Sequence, residues 1–431
     1  MVSRKIIVSC FAAVSASVCV SDAAEQQPSK PPVAQVWIDL STVSSNMPGM
    51  ASMRGGAGAA LGSLFGGGSS NNAAGGNAFG NTRALAAPGR WMDVTLMTHN
   101  NPSLQNATQA VPDGSKLAPT LALVSPEGTP PPVMQKAQPQ EEEKEPEPEF
   151  KKPKGKIYLY WGCSETVRDG QPKVLDMATA GPQDFMAFFQ SRHATTKGTH
   201  STPGQPNWPN KTDSRMIPQD ASLVGQHTFS GDGVPDSFKL NIDQMHDLMP
   251  AIDLSNHDTD TATVLDWSAI AGARAYFLSS MSSRGEGEMV IWTSSELPDF
   301  GMGLLDYQPN GSIDNWLKEK VLLAPSVTEC AVPKDALGKH GMVRMIAYGN
   351  ELNVAWPERP KNPKQVWEPQ WAAKVRLKSV TMQILGMQNH AGNNPNNPNG
   401  PNNPNNPDSP PQPAQPGPPT PINVLKGLFG H

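Results

Sequence analysis

The stretch TATVLDWSAIAGARAYFLS, residues Thr261–Ser279, carries the pattern that decides the fold class. Thr263–Trp267 and Ala273–Ser279 are short segments rich in β-branched and aromatic residues, and Ala271-Gly272 lies between them as a turn. Branched and aromatic side chains fit the pleated surface of a sheet, so segments of this length and composition are typical of β-strands. The stretch therefore predicts two successive strands.

Short segments of the same kind recur along most of the chain. In Val33–Thr42 and Arg90–Thr98 the side chains alternate with a period of two, which predicts half-buried strands. The other candidate strands are Leu117–Val124, Lys156–Cys163, Leu223–Phe229, Ser237–Ile242, Glu288–Thr293, Met342–Tyr348, Leu352–Trp356 and Ala373–Ile384. Helical spacing occurs in Gln183–His193 and in Ser312–Lys320, where Ser312 is the expected cap. Many short strands separated by turns predict a mainly β protein with one or two β-sandwich domains.

Two aromatic residues of the opening stretch carry a resemblance to a known fold. Trp267 and Tyr276 stand where a Trp strand and a Tyr strand pack across the core of a fibronectin type III-like or immunoglobulin-like sandwich, which this stretch resembles. The resemblance implies a fold and no activity. The longer stretch from Asp220 to Met387 is similar to uncharacterised exported proteins of Proteobacteria, a resemblance that implies no particular function.

The first 23 residues, Met1–Ala23, have the three parts of an export signal. Two basic residues come first, Ile6–Val20 is apolar and uncharged, and Ser21–Ala23 offers the small residues that signal peptidase needs. The alternative is a lipoprotein signal, because Cys19 lies near the end of the apolar run. We expect a periplasmic or secreted protein with no transmembrane segment once the signal is removed.

Export leaves two of the four cysteines in the mature chain, Cys163 and Cys330. In an oxidising compartment two remaining cysteines are a natural disulfide pair, and we predict that they are bonded. The alternative is two buried, unreactive thiols, since a free cysteine packs like a small hydrophobic residue.

Low-complexity segments divide the rest of the chain into two predicted regions. An N-terminal β region, 33–195, is interrupted by a Gly-rich insertion at 47–88 and by an acidic, Pro-rich linker at 126–154. A C-terminal β-sandwich domain is predicted at 220–387, followed by an Asn/Pro-rich tail at 388–431 with an apolar end. The insertion and the tail are charge-poor and dense in Gly, Pro or Asn, and the linker carries a run of charges. Such segments bury too little apolar surface to fold, so we expect disorder in all three.

The tail and the first insertion share a repeated string. Leu61–Gly66 is echoed by Leu425–Gly430, and each copy places Leu, Leu and Phe at helical spacing. In the tail these residues are Leu425, Leu428 and Phe429, which would form one apolar face on binding and suggest a docking motif. Coincidence in a biased sequence is the alternative.

Three tryptophans lie close together near the C-terminal end of the predicted sandwich. Trp356, Trp367 and Trp371 fall within a Pro-rich, cationic stretch. Flat aromatic rings with polar neighbours can stack on sugars, which suggests carbohydrate binding; the alternative is that the rings cover the open edge of a sheet.

Calcium is the only cofactor that the sequence suggests. Asp232 and Asp236 lie in a GDGVPD segment that resembles the end of thrombospondin type 3 calcium repeats, although Ser230 and Thr228 stand where two further Asp residues are expected. Calcium takes six to eight oxygen ligands, so two missing carboxylates weaken such a site, and a turn between strands is the alternative.

Enzymatic motifs are sparse. No HxH or HxxxH spacing supports zinc, and no GxSxG, Walker or Rossmann motif stands in a fitting context. Four acids, Glu286, Glu288, Glu296 and Asp299, are close in sequence. Glu286 and Glu288 would share one strand face and are the best approximation to a hydrolase acid pair; charged residues at a strand edge that serve solubility are the alternative. With a formal net charge of -5 and no basic patch, the chain gives no indication of a nucleic-acid partner.

We therefore expect a non-enzymatic structural or interaction protein of the bacterial periplasm or cell surface. Its partner would be a protein or a cell-envelope polysaccharide. The first alternative is a carbohydrate-binding module, and the second is a hydrolase, which requires a cleft holding two carboxylates about 5 to 10 Å apart.

Overall fold

The computed structural model describes residues 28–45, 77–83, 88–128, 155–285 and 287–385. These ranges contain seventeen strands and two α-helices, so the prediction of a mainly β protein is confirmed. The predicted signal, most of the two insertions and the 388–431 tail lie outside the described ranges.

The strands are numbered in chain order. They are β1 (Ala34–Ser45), β2 (Gly89–Thr98), β3 (Asn106–Ala110), β4 (Thr120–Val124), β5 (Lys156–Trp161), β6 (Lys173–Asp176), β7 (Asn207–Trp208), β8 (Gly225–Gly231), β9 (Lys239–Ile242), β10 (Leu254–Asp258), β11 (Ala262–Trp267), β12 (Ala273–Gly285), β13 (Glu288–Thr293), β14 (Glu329–Pro333), β15 (Lys339–Gly349), β16 (Leu352–Trp356) and β17 (Trp371–Ile384). The helices are α1 (Pro182–Phe188) and α2 (Asn310–Lys318).

Fourteen of the strands form one large sheet. Its order is β6-β5-β13-β12-β15-β17-β1-β2-β7-β4-β3-β8-β9, with β16 also paired to β17, and β10-β11-β14 form a separate small sheet. At the centre β1 runs parallel to β17 and antiparallel to β2. Strands from both predicted regions therefore alternate in the large sheet, because β1 lies beside β17 and β5 lies beside β13.

The main core lies on one side of the central strands. Val36, Ile38 and Leu40 of β1 belong to the same buried apolar cluster as Leu240 at the far end of the large sheet and Leu265 of the small sheet. We call the opposite side of the central strands the outer face. Alternation along each strand sends neighbouring side chains to opposite sides, so Trp37, Asp39 and Ser41 of β1 belong to the outer face.

The two sheets meet through an aromatic contact. Trp267 of β11 and Tyr276 of β12 are both buried, and their ring centroids lie 5.7 Å apart in an edge-to-face arrangement. This is the ring contact that the sandwich resemblance implies, while the resemblance itself stays a prediction.

The Cys163–Cys330 disulfide is present, as predicted. Its sulfur atoms lie 2.07 Å apart and its Cα atoms 5.1 Å apart. Cys163 follows β5 of the large sheet and Cys330 belongs to β14 of the small sheet, so the bond joins the two sheets across 167 residues of sequence.

The two helices lie close to their predicted positions. Helix α1 ends at Phe188, earlier than the predicted end at His193. Helix α2 begins at Asn310 with Pro309 at the cap position, so the prediction of Ser312 as the cap was wrong; Pro309 supplies the extended backbone that precedes the first turn. In the described ranges no helix combines the length and the apolar character that crossing a bilayer requires.

Candidate functional site on the outer face of the large sheet

A row of charged side chains crosses the outer face at the centre of the sheet. Asp39 of β1 pairs in register with Arg376 of β17 on one side and with Asp93 of β2 on the other. All three are almost completely buried, with exposed fractions of 0%, 3% and 1% respectively. Charged side chains are rarely buried unless they are paired, so each must have partners.

Arg376 and Asp39 form a bidentate ion pair. The Nε atom of Arg376 lies 2.6 Å from Oδ1 of Asp39, and its Nη2 atom lies 2.5 Å from Oδ2. Thr199 also donates to Oδ2, from its backbone N–H at 3.1 Å and from its hydroxyl at 2.5 Å. The Asp39 carboxylate is therefore held by charge-assisted bonds on both oxygens.

Asp93 has no cation bonded to it in the described structure and is held by neutral donors. The Gly80 backbone N–H donates to both carboxylate oxygens at 3.1 Å, and the Thr82 hydroxyl donates to Oδ2. Burial raises the pKa of Asp93 from 3.8 to about 7, and the negative charge of nearby Asp39 acts in the same direction. Burial thus favours the neutral acid at this position.

A turn within the predicted Gly-rich insertion covers these two carboxyl groups. The turn, residues 77–83, supplies Gly80 and Thr82, and Thr82 is fully buried. From the same turn, Nη2 of Arg83 lies 3.8 Å from Oδ2 of Asp39 and donates to the Thr199 carbonyl. The 77–83 turn therefore covers the carboxyl groups of Asp39 and Asp93.

A second buried cation lies beside the row. Lys378 of β17 has a side chain only 2% exposed, and its Nζ lies 2.7 Å from Oδ1 of Asp306. Burial lowers the pKa of Lys378, while Asp306 opposes that effect. The Tyr307 ring packs against both cations, with its centroid 4.3 Å from Nζ of Lys378 and 4.4 Å from Cζ of Arg376.

The third buried cation, Arg344 of β15, has no ion-pair partner within the described ranges. Arg344 is 5% exposed. Its Nη2 donates to the Leu305 carbonyl at 2.8 Å, and its Nε is buried without a hydrogen-bond partner among the described residues. Burial lowers the pKa of Arg344 to about 10. Arg344 also lines a cavity of about 20 Å³.

The cavity lies between the outer face and the loop that follows β13. Ser279 and Ser280 also line it beside six apolar side chains, and a space of 20 Å³ has room for one water-sized group. The apolar lining consists of Met281, Ile291, Phe300, Met302, Leu305 and Met342.

Next to the cavity is an exposed apolar surface, which we call the phenylalanine patch and define as Phe185, Met186, Phe189, Phe300 and Met302. The rings of Phe189 and Phe300 lie 4.7 Å apart, and those of Phe185 and Phe189 lie 6.2 Å apart. Met186 is 70% exposed, Met302 41% and Phe189 38%. Because Phe300 also lines the cavity, the patch and the cavity are continuous.

The sequence-predicted tryptophans do not form one exposed row. Trp356 is 49% exposed. Trp367 is partly buried; its Nε1 donates to the Pro357 carbonyl at 3.0 Å, and Arg359 lies over its ring at 5.6 Å. Trp371 is buried against Phe238, whose ring stacks at 4.8 Å, so including Trp371 in a sugar-binding set was wrong. Trp371 begins β17 and faces the main core.

The predicted acid group is divided among separate partners. Glu288 accepts a hydrogen bond from the Tyr158 hydroxyl at 3.0 Å, and Glu296 pairs with Arg168 at 2.6 Å. Asp299 is buried and accepts from Ser191 at 3.0 Å and from the Arg192 backbone N–H at 3.0 Å. Glu286 lies outside the described residues. The acids of this group that are described thus bind three different parts of the fold.

The segment of the predicted calcium site forms a turn between β8 and β9. Val234 N–H donates to the Gly231 carbonyl at 3.1 Å. Asp232 and Asp236 are exposed, and Asp232 accepts from Asn101 Nδ2 at 2.9 Å. Across the ranges that the structure describes, no three His, Cys, Asp or Glu side chains are grouped as metal ligands.

The predicted docking residues Leu425, Leu428 and Phe429 lie outside the described residues. Sequence reasoning missed Asp39, Asp93 and Arg344 as a group. The available signal was the placement of charged residues within strongly apolar strand segments.

Comparison with known proteins adds no family to this picture. No protein-family model, curated protein or solved structure matches the chain. The functional conclusion therefore depends on the residues of the chain itself.

Proposed function

We propose that the protein is an exported, non-enzymatic interaction protein of the bacterial periplasm or cell surface, and that it binds a partner protein through the phenylalanine patch. The observation that carries the proposal is the exposure of Met186, Phe189 and Met302 around one ring cluster. Large apolar side chains grouped on a surface are characteristic of contact sites, because covering them removes apolar area from water.

The arrangement of the buried carboxyl groups supports binding rather than catalysis. The sheet register brings Asp39 beside Asp93 in the large sheet, where the 77–83 turn covers both, and it brings Asp266 beside Glu329 in the small sheet. A hydrolytic acid and base must reach a substrate and a water molecule. The bidentate pair of Asp39 with Arg376 is instead suited to holding the two central strands β1 and β17 together, and Thr199 is bonded to the same carboxylate.

The disulfide supports export, since such bonds persist in oxidising compartments. Mass spectrometry of the protein from its native host tests the export proposal directly. We expect a mature chain that begins at Ala24 and lacks two hydrogens at Cys163 and Cys330. A chain that still begins at Met1 would contradict signal cleavage, and a lipid-modified N-terminus at Cys19 would favour the lipoprotein alternative.

The proposed contact site is tested with a double variant, Met186→Ser with Phe189→Ser. The matched control is Met245→Ser, which removes an equally apolar side chain that is 58% exposed outside the patch. We expect the wild type and the control to migrate as a complex in native extracts of the cell envelope, and the double variant to migrate alone. An unchanged complex in the double variant would refute the patch as the contact site.

A further inference from the structure

The last strand of the fold ends beside the phenylalanine patch. Ile384, the last residue of β17, pairs in register with Met342 of β15. Met342 lines the same cavity as Phe300 and Met302, which both belong to the patch. The chain therefore leaves the large sheet next to this exposed apolar surface.

The sequence that follows β17 keeps its large apolar side chains for its far end. Between Met387 and Ile422 there is no Val, Ile, Leu, Met, Phe, Tyr or Trp, and Asp408 is the one charged residue. After this interval come Leu425, Leu428 and Phe429 at helical spacing. Such spacing is typical of a short segment that presents one apolar face to a partner surface.

The length of the intervening sequence suits an intramolecular contact. About 40 residues separate Leu385 from Leu425. As a coil they would span about 35 Å on average, and fully extended about 120 Å. A tether of this kind holds its end at an effective concentration on the order of 1 mM near the point of exit. A segment that binds with a Kd of about 0.1 mM as a free peptide would then occupy its site about 90% of the time in the intact chain.

The patch and the segment also match in chemistry. The patch combines the rings of Phe185, Phe189 and Phe300 with two methionines, and unbranched methionine side chains adapt to the shape of an aromatic or aliphatic partner. Asp184, the one charged residue of α1, is exposed next to Phe185. Lys426, the one charged side chain in 422–430, supplies the opposite charge.

We propose that residues 425–429 dock on the phenylalanine patch of the same molecule and cover it until the partner protein displaces them. The inference rests on the proposed role of the patch as a contact surface and names the segment that competes for it. A second copy of the chain and the related string at Leu61–Gly66 are the other candidate occupants, and the test below distinguishes them.

The test is photo-crosslinking within the purified, mature, disulfide-bonded protein, with benzoyl-phenylalanine at position 186. An equal mixture of ¹⁴N- and ¹⁵N-labelled protein is irradiated and digested, and the joined peptides are identified by mass spectrometry. We expect position 186 to be joined to the C-terminal peptide, with both halves carrying the same isotope label. Benzoyl-phenylalanine at position 245, which is exposed outside the patch, should give no such product.

Variants of the tail show whether the apolar face is what docks. Each buried Leu or Phe side chain should contribute on the order of tenfold in affinity, so Leu428→Ser with Phe429→Ser should lower the crosslink yield about tenfold. The matched control is Val424→Ser, which removes an apolar side chain of the same segment from outside that face and should leave the yield unchanged. All three positions follow β17, so the described fold does not depend on them.

Four results would overturn the proposal. They are the absence of a crosslink to the C-terminal peptide, a yield that Leu428→Ser with Phe429→Ser leaves unchanged, mixed isotope labels, and a crosslink to 61–66 in place of the tail. Mixed labels would identify a second copy as the occupant, and the crosslink to 61–66 would identify the other string.

Competition gives an independent measurement. A fluorescent peptide of residues 422–431 should bind the protein that lacks these residues on the order of tenfold more tightly than it binds the intact protein, whose own tail competes. Equal affinities for the two proteins, or no binding to the shortened one, would contradict intramolecular docking.

The inference and the proposed function fail in different ways. If the tail does not crosslink but the Met186→Ser, Phe189→Ser protein loses its envelope complex, the contact site stands and the tail is the wrong competitor. If the tail docks but that complex is unchanged in the double variant, the protein partner is wrong and the intramolecular contact stands.

Discussion

Asp93 should make the protein less stable at neutral than at acidic pH. The folded protein holds the Asp93 proton more tightly than the unfolded chain does, because the pKa rises from 3.8 to about 7 on folding. The folded state therefore binds more protons between these values, so the free energy of unfolding falls as the pH rises through them. At 1.36 kcal/mol per pH unit the full effect is about 4 kcal/mol, of which about 2.5 kcal/mol falls between pH 5 and pH 8.

The variant Asp93→Asn isolates this effect. An amide keeps an acceptor for Gly80 and Thr82 and has no charge to bury, so the variant should lack the fall in stability. We expect Asp93→Asn to be more stable than the wild type at pH 8 and closest to it at pH 5. The assay is equilibrium unfolding in urea at pH 5, 6, 7 and 8, followed by tryptophan fluorescence with the disulfide intact.

The control is Asp232→Asn, which makes the same acid-to-amide change at an exposed position in the turn between β8 and β9. The free energy of unfolding of this variant should depend on pH as that of the wild type does, since an exposed carboxyl group keeps most of its contact with water on folding. The reasoning is refuted if Asp93→Asn also runs parallel to the wild type, or if the variant is less stable at pH 8.

Three further predictions concern stability and use the same unfolding assay. Arg376→Met should cost about 3 to 5 kcal/mol, because it leaves a buried carboxylate unpaired; a cost below 1 kcal/mol would contradict the bidentate pair. Reduction of Cys163–Cys330 should lower the free energy of unfolding by about 5 kcal/mol, and a change near zero would contradict its role as a tie between the sheets. Trp371→Ala should cost about 3 to 5 kcal/mol and Trp356→Ala less than about 1 kcal/mol; equal costs would contradict the burial of Trp371.

Strand positions were predictable because alternation and composition are local properties. Glu288–Thr293 and Leu352–Trp356 match the predicted bounds at both ends. The missed strands are short or polar, such as Asn207–Trp208, which has two residues and no measurable period. Pairing was not predictable, since the parallel contact of β1 with β17 joins segments more than 300 residues apart and leaves no local trace.

The outer face shows why site residues were harder to find. The alternation of β1 placed Asp39 opposite the apolar side, a position that is ordinarily exposed to solvent in a half-buried strand. The cover comes from the 77–83 turn, in a segment whose composition predicts no structure. Arg344 lay in a correctly predicted strand, but its lack of an ion-pair partner among the described residues depends on what the folded chain places around it.

The phenylalanine side of α1 was visible as helical spacing. The exposure of this side could not be predicted from the sequence, because the spacing alone predicts an apolar face that is covered by the core. In the fold, Phe188 packs on β5 and β6 at the end of the large sheet, while Met186 and Phe189 remain open.

Photo-crosslinking in the living host tests the central claim most directly, with a benzoyl-phenylalanine placed at position 186 and, as a control, at position 245. Both sites are exposed, and only position 186 belongs to the phenylalanine patch. We predict one discrete crosslinked protein from position 186 that disappears when Phe189→Ser is added, and none from position 245. Equal crosslinking from both positions, or no crosslink from position 186, would contradict the patch as the site where this protein meets its partner.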